Sequence, residues 1–173
     1  MKICIIGGGT TGWMAAAYIE KYLPEVNVTL IESSTIPTIG VGESSLPQLR
    51  NFFNDLGIDD KTWVSDCNGV LKKGSEKICW NGGTVEEDKF KFKFWYNRDN
   101  QFDDWLQTYL KGNVNKENLN NELYDPDGWQ SYAYHLDAEK IPTVLKKHTK
   151  NINHIIKTLD DLPNGYDLYL DCT

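Results

Sequence analysis

Positive charge is in short supply. Eighteen Lys and Arg stand against 25 Asp and Glu, a formal net charge of −7 over 173 residues. A chain this acidic carries no electrostatic footprint for nucleic acid or an anionic membrane, so neither is expected as a partner. The lysines at 71–77 and 89–93 are local and have acidic neighbours, and they read as solvated strand edges. Cysteine is sparse too. Cys4, Cys67, Cys79 and Cys172 include no CxxC pair. That pattern excludes a zinc ribbon or a disulfide framework and fits free thiols in a reducing cytosol. The three histidines (His135, His148, His154) have no ligand-like spacing, so no metal is expected. Long apolar runs are missing as well. Only four apolar residues separate Lys2 from Gly7, too few for a signal peptide or a membrane span. A cytoplasmic location is the expectation.

What remains is globular in composition: 40% hydrophobic, with six Trp, and no repeat or low-complexity segment. Residues 2–6 predict a short buried strand. From Gly12 the apolar residues at 14, 15, 18, 19 and 22 predict a helix that Pro24 stops. Residues 26–31 predict a second strand, closed by Glu32. The Gly- and Pro-punctuated stretch 34–47 predicts a loop. Leu46, Leu49, Phe52, Phe53 and Leu56 then mark a helix face, with Ser44 or Ser45 as cap and Gly57 just past its end. A short helix over 59–66 takes Asp59 as its cap. Strands are predicted at 70–80 and 89–96, a helix at 102–110, a loop at 112–128 and an extended segment at 130–136. A further helix runs to Thr149, starting near Asp137 or at Pro142. Two strands follow, in 153–158 and 166–172. Asp103, Asp104, Asp125 and Asp127 suit helix capping and a turn. His135 suits a satisfied core position.

The stretch IIGGGTTGWM is the first that points to chemistry. Gly7, Gly9 and Gly12 form GxGxxG between a strand and a helix, with Glu32 twenty residues past the last glycine. In that setting Gly7 makes the tight turn, Gly9 admits a pyrophosphate and Gly12 lets helix pack on strand. The helix N-terminus holds the phosphates. Glu32 is placed to accept from a ribose, and an acid there argues against a 2′-phosphate. FAD or NAD is therefore expected over NADP; the motif does not choose between those two.

The following residues carry a resemblance. GGGTTGWMAAAYI and IPTIGVGESSLPQL closely resemble the amino-terminal region of the flavin-dependent tryptophan halogenases. Cys67-Asn68, Lys72 and Trp80 match the spacing around that family's catalytic lysine. SYAYHLDA (131–138) and DLYLDCT (167–173) match two later segments. The resemblance implies an α/β fold: a Rossmann-like FAD-binding domain of the GR2 flavoprotein type, with inserted strands and helices and incomplete at its C-terminus. It implies a nucleotide-binding βαβ unit at 1–33, a flavin strap at 34–47, a substrate-side insertion at 48–136 and a returning helix and strands at 137–173. It places FAD against Gly7, Gly8, Gly9, Thr10, Thr11, Gly12, Trp13 and Glu32, and against Ile39, Gly40, Val41, Gly42 and Ser44 of the strap. Gly40 and Gly42 are expected to supply unusual backbone angles there. Substrate would meet Pro47 and Lys72. In this family reduced FAD, oxygen and halide yield hypohalous acid, which reaches the lysine beside an indole. Lys72 would polarise that oxidant as an ammonium or form a haloamine as an amine. A separate flavin reductase would supply the reduced cofactor.

The sequence also departs from the family. It contains no Trp-x-Trp-x-Ile-Pro segment, which in the family separates flavin from substrate. The run after Lys72, from Lys73 to Lys77, is more polar than the family's. FKFWYN (92–97) cannot be matched residue by residue to the family's indole-contacting segment. The 173 residues alone are therefore expected to be a truncated, inactive form. Two other readings stay open: a non-catalytic nucleotide-binding module, and another FAD- or NAD-dependent oxidoreductase.

Overall fold

A computed structural model of the chain describes residues 1–37, 40, 42–72, 74–78, 89–93 and 133–173. In chain order its elements are β1 (Lys2–Ile6), α1 (Thr10–Tyr22), β2 (Asn27–Glu32), β3 (Gly42–Ser44), α2 (Gln48–Asp55), α3 (Asp60–Asp66), β4 (Val70–Lys72), β5 (Gly74–Ile78), β6 (Lys89–Lys93), β7 (Ala133–Asp137), a 3-10 turn (Ala138–Lys140), α4 (Ile141–His148), β8 (Asn153–Ile156) and β9 (Leu168–Asp171). The expected helix at 102–110, the loop at 112–128, Cys79, Trp80 and the acids at 103, 104, 125 and 127 lie outside the described residues. The chain forms two compact units, Met1–Gly42 with Asp137–Thr173, and Glu43–Leu136.

The first unit is built on a parallel sheet in the order β8-β2-β1-β9. Its two central strands read as continuous apolar runs because both their faces are covered. Ile3, Cys4 and Ile5 in β1, and Val28, Leu30 and Ile31 in β2, are buried. Parallel strands need a crossover, and α1 supplies it between β1 and β2. The buried face of α1 is Gly12, Trp13, Ala16 and Ala17. That corrects the face expected at 14, 15, 18, 19 and 22, since Tyr18 and Tyr22 are exposed. Residues 13–19 are apolar all round, so their pattern carries no phase, and the small alanines are what fit close against neighbouring elements. The small face also packs α1 against α4. The helix whose start was open resolves into the 3-10 turn followed by α4, with Pro142 in its first turn. Strand β9 pairs with β1 on the side away from β2. The strand order therefore reverses at β1, and its carboxyl end is a topological switch point.

In the second unit, α2 and α3 are joined by a buried ion pair. Arg50 Nε donates to Asp60 Oδ2 at 2.9 Å, and Trp63 Nε1 donates to Asp60 Oδ1 at 3.2 Å. Phe53 stacks on Trp63 with centroids 4.2 Å apart, and Trp63 meets the Tyr134 ring edge-on at 5.2 Å. Both helices end in the same way. Gly57, at φ 80°, follows α2, and Ile58 N donates to Phe53 O at 2.9 Å. Asn68, at φ 51°, follows α3, and Gly69 N donates to Val64 O at 2.7 Å. These are Schellman turns, and Asn is the residue besides Gly that most readily takes the left-handed position. Asp59 caps α3 by accepting from Lys61 N at 2.9 Å.

Several expectations are corrected here. Neither Ser44 nor Ser45 caps α2, whose cap position is Pro47 with no side-chain bond. Ser44 lies in β3, so 34–47 is not wholly loop, and the Ser45 hydroxyl is bonded to Tyr134 instead. Leu46 is exposed rather than on the buried helix face. The strand expected over 70–80 is described as β4 and β5, and β5 pairs antiparallel with β6. His135 is not a core residue: it is exposed on β7, opposite the exposed Val70 of β4.

Candidate functional site

The glycine turn lies at the switch point. Gly7 has φ 111°, which a residue with a Cβ rarely adopts, and its N–H donates to Ile31 O at 2.9 Å. A Cβ at Gly7 would strike the carbonyl of Cys172, and one at Gly12 would strike the carbonyl of Gly7. A Cβ at Gly9 would meet nothing within 4 Å. Gly7 and Gly12 are thus glycines because protein fills the space, whereas Gly9 faces room. Gly9 is also the cap residue of α1, and no side chain bonds to that helix end. The first N–H groups of a helix lack intrahelical partners, so this end can take a diphosphate. Thr10 sends its hydroxyl to Ala138 O at 3.2 Å, and Thr11 is exposed. Trp13 is enclosed, at 2% exposure.

Glu32 closes β2 beside the glycine turn, and its Oε2 is the atom nearest to where a Cβ of Gly8 would stand. Its Oε1 accepts from His154 Nε2 at 2.6 Å and from Lys146 Nζ at 3.4 Å. Neither donor stands out in the sequence as a partner for Glu32. The signal is the parallel register of β2 and β8, which puts His154 opposite Leu30 and so one step along the same face from Glu32. That register cannot be read before the pairing is known. On the other side of β1, Cys172 N donates to Ile6 O at 2.7 Å. Burial, and then the Asp171 carboxylate, push the Cys172 thiol up. Burial does the same to Cys4. Cys4 and Cys172 carry free thiols.

The stretch 34–47, expected to be a strap, begins beside a hydroxyl cluster. Ser33 Oγ lies 2.7 Å from Thr158 Oγ1 and 3.0 Å from Thr35 Oγ1. Ile39 and Val41 lie outside the described residues. Gly40 and Gly42 are not among the positive-φ glycines, which corrects the expectation of unusual angles there. A Cβ at Gly40 would meet the Glu139 carboxylate, the end of an exposed side chain that can move aside. Gly42, Glu43 and Ser44 are exposed in β3.

In the second unit the Asn68–Gly69 turn feeds the chain from α3 directly into β4. Register pairs Lys72 with Ala133 of β7. Lys72 is only 6% exposed, and its Nζ donates to Ser45 O at 2.7 Å. Ser45 is itself fixed. Its N–H donates to Tyr134 O at 2.9 Å, and its hydroxyl accepts from Tyr134 N at 3.0 Å. Pro47 is buried two residues on. The lysine and the end of the strap segment, 27 residues apart in sequence, are therefore brought together. Lysine is rarely buried without a partner, and here a backbone carbonyl accepts a hydrogen bond from its Nζ. Among the described residues no three His, Cys, Asp or Glu are grouped to hold a metal, and no helix is long and apolar enough to cross a membrane.

Comparison with known proteins gives a consistent result. The family model for tryptophan halogenases matches residues 2–161. The tryptophan 7-halogenase RebH of Lentzea aerocolonigenes is 32% identical over 178 residues, covering 84% of this chain and 33% of its own length. The tryptophan 6-halogenase SttH of Streptomyces toxytricini is 28% identical over 193 residues, covering 90% and 37%. Among solved structures, a flavin-dependent halogenase from Xanthomonas campestris superposes with a TM-score of 0.71 at 26% identity, over 99% of this chain and 42% of that one. The chain thus spans between a third and two-fifths of the length of these curated relatives. With the glycine turn, the parallel sheet and the matched segments in agreement, the chain belongs to the flavin-dependent tryptophan halogenase family.

Proposed function

We propose that these residues bind FAD and carry the relay lysine for halogenation of tryptophan or a related indole. The observation that carries this reading is Lys72: a lysine in a polar stretch of sequence, yet buried and bonded to the Ser45 carbonyl. In this reading 1–33 binds the nucleotide, 34–47 forms the strap, 48–136 faces the substrate and 137–173 completes the nucleotide-binding unit. Gly7 and Gly12 shape the turn, and Gly9 leaves the space that a diphosphate occupies. Gly8, Thr10, Thr11 and Trp13 lie along the same turn and helix, and Ile39, Gly40, Val41, Gly42 and Ser44 flank the flavin. Pro47 and Lys72 are on the substrate side. Bound in reduced form, with oxygen and halide, the flavin supplies an electrophilic halogen. Lys72 would polarise that oxidant as an ammonium, or as an amine would exchange an N–H proton for the halogen, its burial keeping bulk water from competing. A diffusible reductase supplies the reduced flavin, and the proposed location is the cytoplasm.

Titration of the purified chain with FAD should quench flavin fluorescence and raise the melting temperature; an unchanged signal from folded protein would count against the reading. Because the sequence has no Trp-x-Trp-x-Ile-Pro segment, these 173 residues alone should give no product with reduced FAD, oxygen, bromide and indole. Halogenated indole from this chain in mass spectrometry would refute that. In a protein joining these residues to such a segment, Lys72→Ala should abolish product and leave FAD affinity within about twofold, since the lysine acts on the oxidant and not on the cofactor.

A further inference from the structure

The carboxylate of Glu32 is divided between two neighbourhoods. Oε1 is held by His154 Nε2 at 2.6 Å and Lys146 Nζ at 3.4 Å. Oε2 lies against Gly8, on the side of the glycine turn. The two donors are themselves braced by one ring. His154 stands edge-on to Trp13 with centroids 5.1 Å apart, and Lys146 Nζ lies 5.4 Å from the Trp13 ring centre. Trp13 is fully enclosed. A line of contacts therefore runs from the core of α1, through the returning segment, to the acid at the tip of β2.

This arrangement has two physical effects on a dinucleotide. A glutamate at a strand end ordinarily loses side-chain freedom when a ligand engages it; here Oε1 is tethered beforehand, so less is lost on binding. A bare carboxylate beside a diphosphate would also repel it, and the two donors on Oε1 offset part of that charge. We propose that His154 and Lys146 are positioning residues for the ribose: they hold Glu32 so that Oε2 accepts the ribose 2′-hydroxyl. The proposal rests on the reading that the glycine turn holds a dinucleotide.

Calorimetric titration of the chain with ADP and with 2′-deoxy-ADP tests it. A hydrogen bond to a charged acceptor corresponds to about a tenfold preference, so wild-type protein should favour ADP by about tenfold. His154→Phe keeps a ring against Trp13 but lacks the Nε2 donor. It should reduce the preference to about twofold, mainly by weakening ADP. His154→Gln, which offers an amide donor, should recover most of it. Lys146→Met should act in the same direction but less, being longer in reach and half exposed; it also carries the test should His154→Phe not fold. If His154→Phe weakens both nucleotides equally and keeps their ratio, His154 is only structural and the proposal falls. If both nucleotides bind wild-type protein equally, Glu32 does not read the ribose and the positioning role falls with it. If neither binds, the dinucleotide reading itself fails.

Discussion

At the residue scale, the separate roles that spacing assigns to Gly9 and Gly12 have separate physical causes in space. Gly12 is small because the Gly7 carbonyl is there, and Gly9 is small while nothing is there. Gly12→Ala should therefore destabilise the fold by about 2 kcal/mol through overpacking, read as a drop in denaturant midpoint. Gly9→Ala should change stability by less than about 1 kcal/mol yet weaken FAD at least about tenfold, because its methyl enters the ligand's space. Equal behaviour of the two variants would remove the distinction. Asp171 gives a pH-dependent case. The Thr173 hydroxyl, at 2.8 Å, and then the Thr173 N–H, at 3.1 Å, donate to its Oδ1 and hold its carboxyl below the usual range. A depressed carboxyl stabilises the fold above the ordinary value near 4 and loses that contribution as pH falls through the folded value. The melting-temperature gap between wild type and Asp171→Ala should thus be present at about pH 6 and close by about pH 2. The turn glycines and Glu32 were legible in the sequence because spacing alone specifies them. His154 and Lys146 were not, since the approach of His154 to Glu32 depends on which strand β2 pairs with, and that of Lys146 on how α4 packs against α1.

At the scale of elements, end signals were more legible than faces. Gly57 and Asp59 mark helix boundaries in the sequence because a left-handed turn and a capping carboxylate are local demands. The phase of α1 was not local: seven apolar residues in a row leave the choice of face to the neighbours. Ser45 was missed as well, because a serine before a helix has two uses and β7 took it first. Two substitutions examine the α2–α3 pair. Asp60→Ala removes the buried carboxylate that Arg50 Nε and Trp63 Nε1 share and should cost about 3 kcal/mol or more in urea unfolding. Asn68→Ala should cost about 1 kcal/mol, while Asn68→Gly should cost little, because only the first puts an unsupported Cβ in the left-handed region. A loss from Asn68→Gly as large as that from Ala would mean the Asn side chain, not its backbone, matters there.

At the scale of the whole molecule, the family and the strand–helix–strand at 2–32 were legible from motifs, whereas the strand order was not. The spacing of residues 2–32 forecasts strand, helix, strand; nothing in it says that β8 and β9 flank them. Hydrogen exchange should reflect that order. Amides of β1 and β2, paired on both sides, should exchange slowest in the first unit, and those of β8 and β9 at the sheet edges sooner, as read by mass spectrometry of peptides. The pairing of β1 with β9 has a consequence for biosynthesis. One flank of β1 is completed by residues 168–171, made long after β1 itself, whereas its other flank is completed early by β2. At ordinary elongation speeds the interval between β1 and β9 is roughly ten seconds or more. Throughout it, that side of the β1–β2 pair waits for its native neighbour, so this half of the sheet closes only after the rest of these residues have been synthesised.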